Sequence, residues 1–375
     1  MKEKSNKGVQ IVIIVAVVIL FIAVAVDIVL NYVPLKDIFS QNINYTTSRE
    51  VTVTDEGIAD AVEKLYDATV IVEIGQGNNL SGWGSGFVYR QDDDYAYILT
   101  NHHVVEDADS VTIVFTDESE VEGEVVGSDE YTDVAVVRVP SDSILKVAEI
   151  GTTEDMRVGD TIFAIGTPVG LEYSFTVTRG ILSGKNRMVE MTSSSSNSIF
   201  QQSNSESWYM NLLQIDASIN SGNSGGPLAN CNGEVIGITN SKLSSAYSST
   251  SIENMGFAIP IEDAMNIANQ LEESGSVVRP VLGVTMTTVE GARYNNINLD
   301  DSIESGAVVV SVENGSSAAD AGLEKGDVIT KIGEYEVEDY MYLKYYLYRY
   351  QVGDKVEITY IRDGKTRTTE VTLED

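Results

Sequence analysis

The apolar and polar residues between 60 and 260 follow a pattern typical of β-strands. Short runs such as TVIVEI, YAYILT, VAVVRV and EVIGIT are separated by turns rich in glycine and polar residues. Many short strands with frequent turn signals predict a β-sandwich or a pair of β-barrels. The main helical signal in this region is a short stretch around Ala59–Tyr66. We therefore expect one mostly β domain over 60–260.

A helix separates this domain from a second β-rich unit. The segment IEDAMNIANQLEESG has apolar residues at the i, i+3, i+4 and i+7 spacing of one helix face, namely Ala264, Ile267, Ala268 and Leu271. Gly275 is a stop signal for this helix. The pattern predicts a linker helix over 261–276 and a second unit over 277–375, in which VLGVTM, AVVVSV and KVEITYI are candidate strands.

The second unit contains a tyrosine-rich helical stretch, DYMYLKYYLYRY. At helical spacing, one face of this stretch carries Leu343, Tyr346, Leu347 and Tyr350. We expect the two leucines in the core. The remaining tyrosines exceed what a core needs, so we expect some of them to line a groove.

The first residues form a candidate membrane anchor. A charge-free run covers Ile11–Val26, and apolar residues continue past Asp27, giving roughly the 20 residues that a bilayer requires. Lysines precede the run, at Lys2, Lys4 and Lys7. They predict a cytoplasmic tip and anchor over 1–34, followed by an exported linker over 35–59. A cleaved signal peptide is the alternative, but the run is longer than most signal-peptide cores.

Composition excludes some classes of partner. The formal net charge of -33 argues against nucleic acid and anionic lipid as main partners, because phosphate would be repelled. The single cysteine, Cys231, allows no intrachain disulfide and is expected to be a small core residue.

The stretch NSGNSGGPL surrounds Ser224 with three glycines. Gly222 and Gly225 would let the backbone turn sharply around the hydroxyl. The N–H groups of Gly222 and Ser224 could then converge on an oxyanion. This arrangement predicts a nucleophilic serine, with a simple tight turn as the alternative.

A serine nucleophile needs a base, and the chain contains only two histidines, His102 and His103. The base needs an acid to orient it. Asp133 stands where a polar turn meets an apolar run, and Asp129 competes for the same role. The residues alone leave both histidines and both aspartates open. The chain order of histidine, aspartate and serine matches that of chymotrypsin.

Several stretches together resemble the HtrA/DegP family of trypsin-fold serine proteases: TNHHVV, YTDVAVVRV, GTPVG, TVTRGILSG, DASINSGNSGGPL and NMGFAIP. The resemblance covers nearly all of 60–375. It implies a mostly β fold, a chymotrypsin/trypsin-like double β-barrel followed by one PDZ domain. It also implies a catalytic triad of His103, Asp133 and Ser224, an oxyanion hole at Gly222, Asn223 and Ser224, and no metal or cofactor.

The second unit resembles the PDZ domain of the same family. RPVLGV matches the carboxylate-binding loop, which implies that C-terminal peptides bind to the backbone of Leu282, Gly283 and Val284. Arg187 matches the family's sensor-loop arginine, which implies a regulatory role. Two serines depart from the pattern where the family often has proline, Ser221 and Ser317. Only altered loop stiffness is expected from them.

The resemblance also sets the expected function. We expect a PDZ-regulated serine endopeptidase of the cell envelope that cleaves misfolded or unfolded proteins after small or medium apolar residues. The expected protein is a single-pass membrane protein with both domains on the extracytoplasmic side. The short loop GQGNNLSGWGSG favours a homotrimer. The alternatives are a signalling protease with one substrate and a non-catalytic membrane-tethered chaperone or peptide-binding scaffold.

Overall fold

A computed structural model of the protein describes residues 55–77, 79–192, 207–241 and 254–375. They belong to one compact unit, Thr54–Asp375. The predicted membrane anchor lies outside the described residues. Within those residues, no helix is long and apolar enough to cross a membrane.

The first part of this unit is a closed barrel of six antiparallel strands in the order β1-β2-β3-β6-β5-β4. Its elements are α1 (Asp55–Tyr66), β1 (Thr69–Gln76), β2 (Asn79–Gln91), β3 (Tyr95–Thr100), α2 (His102–Val105), β4 (Ser110–Val114), β5 (Glu120–Asp129), β6 (Val134–Pro140) and a 3₁₀ turn (Ser141–Ser143). The barrel interior is filled by fully buried aliphatic side chains such as Val72, Ile98, Ile113 and Val137.

A second closed barrel follows, with the strand order β10-β11-β12-β9-β8-β7. Its elements are β7 (Thr161–Gly166), a 3₁₀ turn (Leu171–Tyr173), β8 (Thr176–Thr192), β9 (Ser207–Ile215), β10 (Pro227–Asn230), β11 (Val235–Asn240) and β12 (Gly256–Pro260). Its interior contains Ile162, Leu213, Leu228 and Ile236.

A shared apolar cluster joins the two barrels. In β6, Ala135 and Val137 face the first barrel's interior, whereas Val134 and Val136 face the shared cluster. Successive side chains of a strand point to opposite faces, so both faces of β6 are buried. This explains why VAVVRV is almost wholly apolar instead of alternating.

Helix α3 (Ile261–Ser274) connects the barrels to the second unit. Its predicted apolar face is buried, and the helix packs against β5 and β6 of the first barrel and β11 and β12 of the second. Gly275 ends it in the left-handed conformation, with φ 75° and its N–H donating to Leu271 O. The sequence prediction of this helix and its stop is confirmed.

The second unit is a six-stranded sheet in the order β13-β14-β15-β17-β18, with β16 paired to β15. Its elements are β13 (Val284–Thr287), α4 (Val289–Tyr294), β14 (Ala307–Val312), α5 (Ser317–Asp320), β15 (Val328–Ile332), β16 (Tyr335–Glu336), α6 (Tyr340–Leu347), β17 (Lys355–Arg362) and β18 (Lys365–Thr372). Leu343 and Leu347 are buried, as predicted, and α6 also contacts β9 of the second barrel.

Some local predictions differ from the structure. Cys231 is exposed, so its prediction as a core residue is wrong. It lies in the hairpin turn between β10 and β11, and the buried run begins only at Val235. The stretch GQGNNLSGWGSG is mostly strand, because β1 and β2 stay paired as far as Gln76 and Asn79.

Candidate active site

Ser224 lies in the turn between β9 and β10, at the boundary of the two barrels. The residue is only 3% exposed. Its carbonyl accepts a hydrogen bond of 2.8 Å from the N–H of Ser85 in the first barrel, and the N–H of Gly225 donates to Thr239 O in the second. The turn is therefore held by both barrels.

The glycines around Ser224 are required by this turn. Gly222 and Gly225 have φ of 98° and 86°, which side-chain-bearing residues rarely adopt. A Cβ on Gly222 would lie 2.1 Å from Thr167 O, and one on Gly225 would lie 2.1 Å from Ser85 O. Both conformation and space therefore exclude any other residue at these two positions.

Ser85 fixes the orientation of the peptide group that follows Gly222. Its buried hydroxyl donates to Gly222 O at 2.8 Å and accepts from the N–H of Thr167 at 3.1 Å. The N–H groups of Gly222 and Ser224 donate to no acceptor among the described residues, whereas the N–H of Asn223 donates to Asn220 O at 3.0 Å. Of the three predicted oxyanion-hole residues, Asn223 thus has its N–H engaged elsewhere, and two free donors remain.

His103 and Asp133 form a close pair on the first barrel. His103 lies in α2, one turn after the end of β3, and its Nδ1 lies 2.8 Å from Asp133 Oδ2. The backbone N–H of His103 donates to Asp133 Oδ1 at 3.0 Å. A proton on Nδ1, held by the carboxylate, leaves Nε2 with a lone pair that can accept a proton.

The backbone and a neighbouring amide fix Asp133. Its φ is 55°, a conformation that aspartate tolerates better than most residues. Its carbonyl accepts from Asn101 Nδ2 at 2.8 Å, and its Oδ2 accepts from Asn240 Nδ2 at 2.5 Å. Three donors therefore hold the buried carboxylate in place: the N–H and Nδ1 of His103 and the side-chain amide of Asn240. Sequence reasoning missed Asn240, because no local pattern brings the end of β11 to this site.

His102 and Asp129, the alternative candidates for the base and the acid, have other hydrogen-bond partners. Nδ1 of His102 lies 2.9 Å from Ser128 Oγ. The Asp129 carboxylate accepts from the N–H and hydroxyl of Thr132 and from Arg279. The structure therefore brings together His103 and Asp133, and it does not pair His102 with Asp129.

The hydroxyl of Ser224 points towards β11 rather than towards His103. Its Oγ lies 2.6 Å from Ser241 Oγ and accepts from the Ser241 N–H at 3.1 Å. No hydrogen bond joins Ser224 to His103, both of which are described. The hydrogen-bonded pair of His103 and Asp133 is assembled, but the Ser224 hydroxyl pairs with Ser241 instead of with the imidazole.

Comparisons with known proteins match both parts of the chain. Residues 84–238 match the trypsin-like peptidase domain family, and residues 280–373 match the PDZ domain family. The chain is 40% identical over 301 residues to the serine protease Do-like HtrA of Lactococcus lactis subsp. lactis (strain IL1403), covering 79% of this chain and 72% of that protein. It is 38% identical over 354 residues to the serine protease Do-like HtrB of Bacillus subtilis (strain 168), covering 89% and 74%.

This chain belongs to the HtrA family of serine proteases. Among solved structures, the HtrA-type protease AlgW with a tripeptide matches with a TM-score of 0.64 and 29% identity, over 84% of this chain and 96% of that one. The crystal structure of a serine endoprotease from Yersinia pestis matches with a TM-score of 0.61 and 28% identity, over 84% and 97%. The protein is thus a serine-type endopeptidase with a mostly β, trypsin-like domain followed by a PDZ domain, and the family assignment is confirmed.

The PDZ domain of this HtrA-family protein carries an open groove. It lies between β13 and α6 and is lined by Leu282, Gly283 and Val284 on one side and Tyr340, Lys344 and Tyr348 on the other. Among the described residues, the N–H groups of Leu282 and Gly283 donate to no protein acceptor. Two of the tyrosines in the helical stretch thus line a groove, as the sequence predicts.

Arg187 lies on β8 and is exposed. Its Nε donates to Gln214 Oε1 of β9 at 3.0 Å. Among the described residues, no hydrogen bond joins either of the two departing serines to the triad candidates. Ser221 contributes its carbonyl to the N–H of Val169, and Ser317 begins α5, a helix position that suits proline.

Proposed function

We propose that this HtrA-family protein cleaves unfolded or misfolded proteins with a triad of Ser224, His103 and Asp133. The observation that carries the proposal is the 2.8 Å contact of His103 with a buried carboxylate, beside a serine held in a two-glycine turn. A base oriented by an acid and a serine with free backbone donors beside it form the arrangement that acyl transfer requires.

The first half of the reaction forms an acyl-enzyme. Ser224 turns from Ser241 towards His103, whose Nε2 takes the hydroxyl proton while Oγ attacks the peptide carbonyl. The Asp133 carboxylate stabilises the resulting imidazolium. The N–H groups of Gly222 and Ser224 bind the oxyanion, and each such donor typically contributes about 3 kcal/mol.

The second half releases the products. His103 donates its proton to the leaving amine as the C–N bond breaks. His103 then takes a proton from water as the water oxygen attacks the ester carbonyl. The bond between the acyl carbon and Ser224 Oγ breaks, the carboxylic acid product leaves, and His103 returns the proton to Ser224 Oγ. These reaction steps need no cofactor, because the proton moves only between Ser224, His103, the amine and water.

The groove supports regulation by C-terminal peptides. Strand β13 is the terminal strand of its sheet, so an extended peptide can pair with its free edge. The amides of Leu282, Gly283 and Val284 would hold the terminal carboxylate. Arg187 would relay occupancy of the groove to the oxyanion hole.

The membrane location, oligomeric state and biological role of the enzyme are proposed from the sequence. The apolar run after the N-terminal lysines supports a single-pass membrane protein with both domains on the extracytoplasmic side. Resemblance to the family supports a homotrimer and a role in protein quality control. A signalling protease with one substrate is the second candidate, and the contact of Ser224 with Ser241 favours it, since this contact suits an enzyme that waits for a signal.

Digestion of unfolded casein by the full chain in detergent tests the proposal. We expect digestion by wild type and by Ser119→Ala, a control in a distant surface turn, but not by Ser224→Ala. Mass spectrometry of the fragments should show cleavage after small or medium apolar residues, since Ser218 and Ile219 before the turn offer no carboxylate to bind a basic side chain. Cleavage mainly after lysine or arginine would contradict this specificity, and equal digestion by Ser224→Ala would contradict the nucleophile.

A further inference from the structure

The turn between β5 and β6 carries Asp133 and is tied to the beginning of the second domain. Asp129, at the start of this turn, is only 6% exposed. Its Oδ2 accepts from the N–H of Thr132 at 2.9 Å, from the Thr132 hydroxyl at 2.5 Å and from Arg279 Nη2 at 2.6 Å. Thr132 directly precedes Asp133. The Asp129 carboxylate therefore fixes the backbone from which the partner of His103 projects.

The side chain of Arg279 is largely buried. Its side chain is 14% exposed, and its guanidinium carbon lies 4.6 Å from the ring centre of Tyr131 and 5.0 Å from that of Tyr348. Two aromatic faces and one carboxylate thus surround a single positive charge. A buried ion pair is costly to break from one side, because the remaining charge loses its partner.

Tyr131 connects the same turn to both domains. Its carbonyl accepts from Trp208 Nε1 at 2.7 Å, and its ring centre lies 5.0 Å from that of Trp208. On the other side, its ring meets Tyr348 edge-on, with 6.4 Å between ring centres, and Lys344 Nζ lies 5.5 Å from it. Tyr348 and Lys344 line the peptide groove. The wall of the groove therefore touches the turn that carries Asp133.

We propose that Arg279 is a positioning residue for Asp133, and that a peptide in the groove acts on the same turn through Tyr348. The second part rests on the proposed regulation by C-terminal peptides. Asp133 has a φ of 55°, and a residue in such a conformation persists only when its surroundings hold it. Part of this restraint comes from the second domain, through the ion pair of Arg279 with Asp129. Docking of the second domain therefore completes the active site.

An ion pair between the linker helix α3 and the second domain provides a matched control. Arg349 Nη2 donates to Asp263 Oδ1 at 3.1 Å, which links the end of α6 to α3. Like Arg279, Arg349 lies near tyrosine rings, here Tyr335 and Tyr345. Its ion pair is with Asp263 of α3, not with a residue of the turn from Asp129 to Asp133. Breaking this pair loosens the domain contact without touching the carboxylate that His103 needs.

Steady-state kinetics of the full chain on a quenched fluorogenic peptide test the positioning role. We expect Arg279→Met and Asp129→Asn each to lower kcat about tenfold, the effect of losing one charge-assisted hydrogen bond, with KM within about twofold. The double variant should be no slower than the slower single variant, because the two changes remove one contact. Arg279→Lys should recover part of the loss, and Arg349→Met should stay within about twofold of wild type. Equal effects of Arg279→Met and Arg349→Met, or additive effects in the double variant, would overturn the proposal.

Addition of a peptide with a free hydrophobic C-terminus tests the link to the groove. We expect it to raise kcat of wild type and Arg349→Met but not of Arg279→Met, while its Kd, measured by fluorescence anisotropy, stays within about threefold among the three. The unchanged Kd shows that the variant PDZ domain is folded. If Arg279→Met does not bind the peptide, the response of kcat to the peptide in Arg279→Lys and Asp129→Asn tests the link instead. An equal response in Arg279→Met would refute the link, whereas an inactive or unresponsive wild type would refute the proposed function itself.

Discussion

The hydroxyl of Ser224 is paired with that of Ser241, with 2.6 Å between the two oxygens. The N–H of Ser241 donates to the same Ser224 oxygen at 3.1 Å. The Asn240–Ser241 dipeptide therefore contacts both ends of the candidate triad, Asp133 through the amide and Ser224 through the hydroxyl. The Ser224 oxygen is thus held by two groups of Ser241, and it must turn away from β11 before its hydroxyl can donate to His103.

Removal of that hydroxyl should make Ser224 more reactive. We expect Ser241→Ala to raise the rate of labelling by a fluorophosphonate about fivefold, because a neutral hydrogen bond that stabilises the resting orientation is lost. Ser241→Thr keeps a hydroxyl and should stay near wild type, as should the distant Ser119→Ala. A slower rate in Ser241→Ala would mean that Ser241 assists the reaction instead of opposing it.

Asn240 should matter for turnover more than for substrate binding. Its amide donates to the buried Asp133 carboxylate at 2.5 Å. We expect Asn240→Ala to lower kcat about tenfold or more, with KM within about twofold, since the carboxylate loses a charged hydrogen bond. Asn240→Asp should lower kcat further, because two carboxylates would then face each other. An unchanged kcat in both variants would exclude this role.

Substitution of Gly222 tests whether the oxyanion turn needs glycine for its backbone conformation or for the lack of space around the Cα atom. Gly222 and Gly159 share a φ of 98°, but a Cβ on Gly222 would lie 2.1 Å from Thr167 O, whereas one on Gly159 would meet nothing within 4 Å. We expect Gly222→Ala to lower kcat at least about 100-fold, the cost of a displaced oxyanion donor. Gly159→Ala has the same backbone strain and should keep its activity. Similar losses in both variants would show that strain alone is responsible.

The interface between α3 and the PDZ domain should show a dependence of stability on pH. Burial raises the pKa of Asp263, although Arg349 opposes the shift. A carboxyl with a raised pKa contributes stability below its ordinary value of 3.8, and this contribution is lost as the pH rises through the folded-state pKa. We therefore expect the Tm of Asp263→Asn to rise relative to wild type as the pH increases from about 4.

The neighbouring Glu262 should show the opposite trend and serves as its control. Burial acts to raise its pKa, but hydrogen bonds from the backbone of Thr153 and the hydroxyls of Thr152 and Thr153 outweigh burial and hold the pKa below 4.5. Its contribution is present above 4.5 and is lost as the pH falls through the folded-state pKa. The Tm of Glu262→Gln should thus fall relative to wild type as the pH rises towards 4.5. The same sign in both variants would contradict this reading of the interface.

The sequence predicted the parts of the fold that depend on local pattern. Helix α3 and its stop at Gly275 follow from apolar spacing and from the freedom of glycine at positive φ. The hydrogen bond of Ser85 to Gly222 spans 137 residues, and that of Asn240 to Asp133 spans 107. Such contacts form only when the two barrels close against each other. No local signal distinguishes these polar residues from ordinary strand positions.

Long-range contacts also explain why the sequence alone does not decide whether His102 or His103 is the base. The histidines are adjacent, and either could face a cleft after β3. Only the turn that holds Asp133 at a φ of 55° directs its carboxylate to His103, while His102 meets Ser128. Family resemblance selects His103 and Asp133, and the structure brings these two residues together.

Identification of the residue that reacts with a fluorophosphonate tests the central claim most directly. The full chain would be labelled to completion, digested and analysed by mass spectrometry. We predict one adduct per chain, on Ser224, with labelling absent in Ser224→Ala and at least about 100-fold slower in His103→Ala, which lacks the base. An adduct on another serine, or labelling of His103→Ala at the wild-type rate, would contradict a triad built on Ser224, His103 and Asp133.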